Sequence, residues 1–230
     1  MVRKIEIYAD GADLETMRSL VEKVDGFTTN PSLCRKAGIT DYKTFGKKAL
    51  LAAGKKPVSL EVFADDEEGM IREGREIASW GANAFVKIPI TNTFGEWSGN
   101  VIRTLLSDDI KVNVTAVMTM KQVLALQGDL PEGASVIISI FAGRVADTGR
   151  DPVGTMKAAS HVLRHLSGAR LLWASPREVY NVVQAEQSGC HIITLPLDLI
   201  KKLDGFGKDL NEYSLETVKQ FHEDARGMTI

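Results

Sequence analysis

A parallel (β/α)8 barrel with a C-terminal helical extension is the fold that this sequence predicts. Three observations carry that expectation. Eight short β-forming runs alternate with helical stretches from one end of the chain to the other. The length of 230 residues matches the roughly 200–250 of a compact barrel in a single domain. No glycine fingerprint follows the first run, which removes the support that an open dinucleotide-binding sheet would need. No linker, low-complexity segment or long charge run marks a second domain, so residues 1–230 read as one barrel.

The first run, Ile5-Glu6-Ile7-Tyr8-Ala9, ends at Asp10-Gly11-Ala12-Asp13, where Asp13 can cap a helix beginning at Leu14 and running to Val24. Gly26 to Asn30 reads as a short second strand stopped by Pro31. A lysine-rich helix over 42–53 follows, then a third strand over 58–63. The acidic Asp65-Asp66-Glu67-Glu68 suits the positive end of the next helix dipole, with helix over 70–80 and Gly81 closing it. Ala84-Phe85-Val86-Lys87-Ile88-Pro89-Ile90 is the fourth strand, apolar except for the lysine at its centre. A loop over 91–99 leads to a short helix over 100–106. The fifth strand spans 110–116 and its helix 119–126. Residues 134–141 form the sixth and most strongly β-forming run. A glycine-bearing loop continues through Arg150, and Pro152 opens a helix to about Leu166. The seventh strand covers 169–174 with a helix over 178–187, and the eighth covers 191–195. A short helix near 198–203 and a final one over 214–225 end the chain.

Composition narrows the function classes. Hydrophobic content of 44% and charged content of 25% describe an ordinary globular protein with a real core. A net charge of −2 offers no basic surface for nucleic acid or lipid, and Lys43, Lys47, Lys48, Lys55 and Lys56 read as a solvated helix face and loop. Cys34 and Cys190 have no metal-ligand spacing and read as reduced thiols. His161 and His165 stand four apart but lack an accompanying acid motif, so they read as surface or interface histidines. The start, Met1-Val2-Arg3-Lys4-Ile5-Glu6, lacks the apolar core of a signal peptide, and no stretch approaches the ~20 apolar residues of a membrane span. A soluble cytoplasmic protein is the expectation.

Lys87 poses the central question. A lysine inside such a run either snorkels to solvent at a strand end or carries its amine into an interior or cleft. An amine that loses its proton on burial is a nucleophile for carbonyls, the opening of Schiff-base chemistry. The other polar residues in and just after the strands bear on the choice, because a barrel places its site at the C-terminal strand ends. They are Asp10, Thr28 and Asn30, Glu61, Asn113 and Thr115, Ser139, Arg144, Ser175 and Arg177. A strand-end polar residue is ordinarily satisfied by backbone or water. Seven consecutive strands presenting such groups at one end are harder to explain that way.

The residue types suggest their chemistry. An amine held neutral by desolvation and a nearby arginine could condense with a ketone to form an iminium electron sink. Asp10 could take a proton from a hydroxyl and permit retro-aldol cleavage. Glu61 with Thr115 could hold a water that shuttles protons, while Asn30, Asn113 and Ser139 suit sugar hydroxyls. Arg144, Ser175 and Arg177 suit an anionic group such as phosphate. This chemistry needs no metal or cofactor.

The motifs Ile7-Tyr8-Ala9-Asp10, Thr28-Thr29-Asn30-Pro31-Ser32-Leu33, Val86-Lys87-Ile88-Pro89, Asn113-Val114-Thr115, Gly143-Arg144-Val145 and Ile193-Thr194-Leu195-Pro196 run nearly the whole chain. In them the sequence resembles the transaldolases, in the short subfamily that includes fructose-6-phosphate aldolase. The resemblance implies a (β/α)8 barrel with the Schiff base on Lys87 and Asp10 as acid and base at the C4 hydroxyl. It implies that Glu61 and Thr115 position the catalytic water. Thr28, Asn30, Asn113 and Ser139 would line the dihydroxyacetone end, while Arg144, Ser175 and Arg177 would hold phosphate. It also implies a homo-oligomeric ring, a pentamer or decamer, with the helix over 214–225 in the contacts. Glu61 and Phe141 follow the transaldolase pattern, where the aldolase resembled here has glutamine and tyrosine. Transfer of the dihydroxyacetone unit to an aldehyde is therefore expected over its release.

Three departures bear on the substrate: Gly11 after the first aspartate, the loop Thr91-Asn92-Thr93-Phe94-Gly95-Glu96-Trp97, and Trp173 with Pro176 around the anion end. A sulfonate also presents three oxygens, which makes a sulfosugar such as 6-deoxy-6-sulfofructose the alternative to a ketose phosphate. A catalytically silent sugar-phosphate-binding barrel is the remaining alternative. It would retain the anion site without the lysine and acids, whereas Lys87, Asp10 and Glu61 are all present.

Overall fold

The computed structural model describes residues 5–229; Met1-Val2-Arg3-Lys4, part of the stretch read against a signal peptide, and Ile230 lie outside them. Eight strands close into one barrel in chain order: β1 (Glu6–Asp10), β2 (Gly26–Thr28), β3 (Val58–Glu61), β4 (Ala84–Pro89), β5 (Val112–Val117), β6 (Val136–Ile140), β7 (Ala169–Trp173) and β8 (Ile192–Pro196). Every neighbouring pair is parallel, and β8 returns to β1 with Asp10 opposite Pro196.

The helices are α1 (Leu14–Leu20), α2 (Pro31–Lys36), α3 (Tyr42–Ala52), α4 (Glu67–Ala78), α5 (Gly99–Ser107), α6 (Met120–Asp129), α7 (Ala142–Asp147), α8 (Pro152–Leu163), α9 (Asn181–Gln187), α10 (Leu197–Lys202) and α11 (Leu210–Asp224). Their starts follow local chemistry. Asp13, Asp41 and Asp66 each accept a hydrogen bond from a backbone N–H three residues on. Thr119 and Gln122 form a capping box at the head of α6.

Two short helices differ from the sequence reading. Asn30 does not extend a strand: it caps α2, accepting from the Leu33 N–H at 3.0 Å, with Pro31 in the first turn where no donor is required. Residues 142–147, expected as loop, form α7, which carries Arg144. Both are only six residues long, too short to display a helical period.

Strand alternation divides the core into two layers. Val86, Ile88, Val112, Val114, Ile138, Ile140 and Trp173 face outward and pack beneath the helices. The inward set is apolar at the floor, where Tyr8, Ile137 and Ile192 cluster with Phe85, and Leu172 and Phe141 of the same cluster reach the pocket wall. Toward the C-terminal strand ends it turns polar. Trp173 therefore packs away from the anion end that it was expected to border, and Pro176 is buried. The loop after β4 is a small hairpin in which Thr91 pairs with Trp97. Asn92 Oδ1 accepts from the Phe94 and Glu96 backbone, and the Trp97 indole donates to Asp129 on α6.

Candidate active site

A pocket of about 480 Å³ opens at the C-terminal end of the barrel. Its wall includes Asp10, Thr28, Asn30, Glu61, Lys87, Asn113, Thr115, Ser139, Phe141, Arg144 and Ser175. The register explains the convergence. Asp10 lies opposite Thr28, Glu61 opposite Lys87, and Lys87 opposite Asn113, so inward residues of successive strands share one level.

Lys87 is 6% exposed, which answers the question posed by its strand: the amine points into the barrel, not out to solvent. Its Nζ lies 2.9 Å from Glu61 Oε2 and donates to the Thr29 carbonyl at 2.7 Å. The charged group in contact with the amine is thus a carboxylate, where an arginine had been expected. Glu61 is fixed in turn, since its backbone N–H donates to the Tyr42 hydroxyl at 2.8 Å.

Asp10 stands across the pocket from this pair. Burial raises its pKa above the ordinary aspartate value, opposed by the Thr28 hydroxyl, which donates to Oδ1 at 2.7 Å, and by the positive charge of Lys87. The same Thr28 oxygen lies 2.6 Å from the Thr194 hydroxyl on β8. Ser139 donates to Asn113 Oδ1 at 2.7 Å, and Asn113 Nδ2 donates to Ser59 at 3.0 Å, which locks the amide's orientation.

Thr115 departs from this pattern of satisfied groups: its buried hydroxyl has no hydrogen-bond partner among the described residues. The register of β5 against β6 shifts between Val114 and Val117, and Ala116 takes a left-handed φ of 61°. Such an irregularity re-aims a side chain at a strand end. Here it leaves Thr115 lining the pocket with an unused hydroxyl, a position ready for water or substrate.

The end of the pocket expected to take an anion is built otherwise. Ser175 follows β7 with φ of 60°, a conformation disfavoured for a residue with a Cβ. Gly143 precedes Arg144, and a Cβ there would come within 1.5 Å of the Ser175 carbonyl oxygen, so only glycine lets α7 approach this turn. The Arg144 guanidinium stacks 5.1 Å from the Phe141 ring centre. Arg177 is not part of the pocket wall. It is exposed, and its guanidinium grips both carboxylate oxygens of Asp147, with Nε at 2.8 Å.

Thr194 on the wall, and Ser59, Tyr42 and the Thr29 carbonyl as hydrogen-bond partners of wall residues, are polar groups that the sequence reading passed over. Strand alternation could have found two of them: Ser59 lies two residues before Glu61 on the same face, and Thr194 interrupts the apolar run of β8. Cys34 is buried, and burial pushes its thiol up to about 11, which makes it an inert neighbour at neutral pH.

Comparison with known proteins agrees with this geometry. The family model for transaldolase/fructose-6-phosphate aldolase matches residues 7–229. The chain belongs to that family. A "Probable transaldolase" of Methanococcus maripaludis is 31% identical over 223 residues, covering 93% of this chain and 99% of its own. Namesakes in Clostridium acetobutylicum and Roseiflexus castenholzii are 32% and 34% identical over 202 residues, 86% of this chain and 89% and 88% of theirs. The structure of thiamine phosphate pyrophosphorylase from Pyrococcus furiosus superposes with a TM-score of 0.59 at 10% identity, over 86% of this chain and 92% of its own, a likeness of fold alone. As a transaldolase/fructose-6-phosphate aldolase family member, the chain is a transaldolase-like enzyme, and its pocket occupies the strand ends where barrel enzymes carry out their chemistry.

Proposed function

We propose that this enzyme transfers a dihydroxyacetone unit from a ketose phosphate, fructose 6-phosphate or sedoheptulose 7-phosphate, to an aldose phosphate through a Schiff base on Lys87. The observation that carries the reading is the buried Lys87 amine in contact with Glu61, in one pocket with Asp10. Glu61 takes a proton from Nζ, the free amine adds to the ketose C2 carbonyl, and Glu61 returns that proton to the C2 hydroxyl, which leaves as water to give an iminium. Asp10, as carboxylate, removes the C4 hydroxyl proton. The C3–C4 bond breaks, its electrons enter the iminium to form an enamine, and C4 leaves as an aldehyde. The enamine adds through C3 to the acceptor aldehyde, Asp10 returns its proton to the new hydroxyl, and water releases the product from Lys87. The unpartnered Thr115 hydroxyl is suited to hold that water.

The test is an exchange reaction. Fructose 6-phosphate and erythrose 4-phosphate should yield sedoheptulose 7-phosphate and glyceraldehyde 3-phosphate in equal amounts, without free dihydroxyacetone. Accumulation of dihydroxyacetone would instead favour an aldolase, and absence of any exchange would favour a binding barrel. Phe141 supports transfer, since it brings no hydroxyl to activate water beside the imine.

One observation favours a second reading, transfer from 6-deoxy-6-sulfofructose. Among the described residues Arg144 is the one arginine on the pocket wall, while Arg177 is paired with Asp147. One cation balances a sulfonate's single charge better than the roughly −1.5 to −2 of a phosphate monoester. A ratio of kcat/KM above tenfold between the two donors, about 1.4 kcal/mol, decides between them.

Helix α11 supports a homo-oligomer. None of its residues is buried, and Leu210, Tyr213, Val218 and Phe221 form an exposed stripe on a helix that water alone would stabilise poorly. Light scattering of the protein and of Phe221→Glu tests this, with the variant expected to dissociate.

A further inference from the structure

The last rung of the β2–β3 ladder is diverted. In a parallel pair, a bonded residue donates its N–H to one residue of the neighbouring strand and accepts from the residue two further on. Phe27 donates to the Pro57 carbonyl at 2.8 Å, and Thr29 to the Ser59 carbonyl at 3.1 Å. The next rung would run from the Glu61 N–H to the Thr29 carbonyl. Both groups are turned elsewhere. The Glu61 N–H donates to the Tyr42 hydroxyl at 2.8 Å, and the Thr29 carbonyl accepts from Lys87 Nζ at 2.7 Å. Tyr42 reaches this point from the first turn of α3, its ring packed on Phe63 with centres 4.4 Å apart. Its hydroxyl also hydrogen-bonds that of Thr29, which donates in turn to the Ser59 carbonyl at 3.0 Å. With the Thr29 proton committed there, the Tyr42 proton goes to the Thr29 oxygen, and the phenol is fixed as both donor and acceptor.

We propose that Tyr42 is a positioning residue for Lys87: by taking the Glu61 N–H it releases the Thr29 carbonyl, which then holds the amine. A neutral amine that donates one N–H to a fixed carbonyl has its lone pair directed, the geometry that attack on a ketone requires. The same hydroxyl sets the backbone of Glu61, whose carboxylate meets Nζ at 2.9 Å, so one phenol orders both partners of the amine. Without it, the Glu61 N–H closes the rung onto Thr29, and the amine loses its carbonyl. This inference rests on the reading that Lys87 forms the Schiff base.

The experiment is rapid-quench trapping. Enzyme and fructose 6-phosphate are mixed, borohydride is added at successive times, and the reduced adduct on the Lys87 peptide is quantified. Tyr42→Phe, which keeps the ring, should slow adduct formation about tenfold at saturating donor, while the donor concentration that half-saturates the rate stays within about twofold. Phe63→Leu disturbs the ring contact but leaves the hydroxyl, and should stay within about twofold in both quantities. A crystal structure of Tyr42→Phe should show the Glu61 N–H on the Thr29 carbonyl and Lys87 Nζ displaced from it. Should Tyr42→Phe fail to fold, Thr29→Val carries the test. It keeps the carbonyl, removes the hydroxyl that holds the phenol, and should slow the adduct about threefold, the scale of one hydrogen bond. An unchanged rate would overturn the proposal. So would an equal loss in Phe63→Leu, which would make the role one of packing, or Lys87 Nζ still seated on the Thr29 carbonyl in Tyr42→Phe. Absence of any adduct in the parent enzyme would instead overturn the Schiff-base reading, and the proposal with it.

Discussion

The two ends of the pocket are built on different principles. At the amine end, Asp10, Thr28, Glu61, Lys87, Asn113 and Ser139 stand on barrel strands, and each is tied to another strand's side chain or to the backbone. At the anion end, Arg144, Ser175 and Arg177 stand on a six-residue helix and on the turn after β7, partly in solvent. The amine end inherits its rigidity from the closed sheet. The anion end depends on a few special contacts: a glycine, a left-handed serine, an aromatic ring and one ion pair. Under the proposed function, bond-making falls to the rigid scaffold and recognition to the adjustable segments, where substrate preference can change without disturbing the chemistry.

Substitutions should expose the difference. The largest effect is expected at the amine end from Asp10→Asn, which should lower kcat by about 10²–10⁴ in the exchange assay. The same change should raise the thermal midpoint at pH 7. Burial raises the Asp10 pKa in the folded state, so the stability that its proton confers is fully present below the ordinary aspartate range and lost as pH rises through the raised value. At pH 7 the native fold therefore carries the cost of a buried carboxylate, which asparagine removes. The gain should vanish in acid, and in the parent enzyme the acid limb of kcat/KM should lie above the usual aspartate range. Equal midpoints at pH 7 would contradict this.

Next comes Gly143→Ala. A methyl group has no room against the Ser175 carbonyl, so the variant should lose about 1–3 kcal/mol in urea unfolding and raise KM for anionic donors. The smallest effect is expected from Phe141→Leu, which removes the ring beneath Arg144. The loss of about 0.5–1 kcal/mol corresponds to a twofold to fivefold rise in KM for a phosphorylated donor and little change for unphosphorylated fructose. An equal loss for both donors would mean that the ring serves packing and not Arg144.

The same division governs how much could be read from the sequence. The barrel and the amine end were legible because strands impose a two-residue period: Lys87 amid apolar neighbours and Glu61 at the end of β3 declare their side as soon as the strands are recognised. The anion end was legible only in residue type. Arg144 and Arg177 invite an anion, but the sequence contains no sign that Asp147 occupies Arg177, because that contact spans thirty residues and two short turns. The contact partner of Lys87 was not named from the sequence, for a related reason. Which charge meets the amine depends on register between β3 and β4, and single-strand patterns do not encode register. Thr115 was found as a strand residue, yet its unused hydroxyl depends on the irregularity at Ala116, which the valine- and threonine-rich run conceals.

The central claim is that Lys87 forms the covalent bond to the substrate. Borohydride added during turnover of fructose 6-phosphate, followed by peptide mass mapping, tests it most directly. The account predicts a reduced three-carbon dihydroxyacetone adduct, with or without the full-length ketose adduct, on the peptide carrying Lys87, and none in Lys87→Met. An adduct on another lysine, or full exchange activity in Lys87→Met, would contradict it.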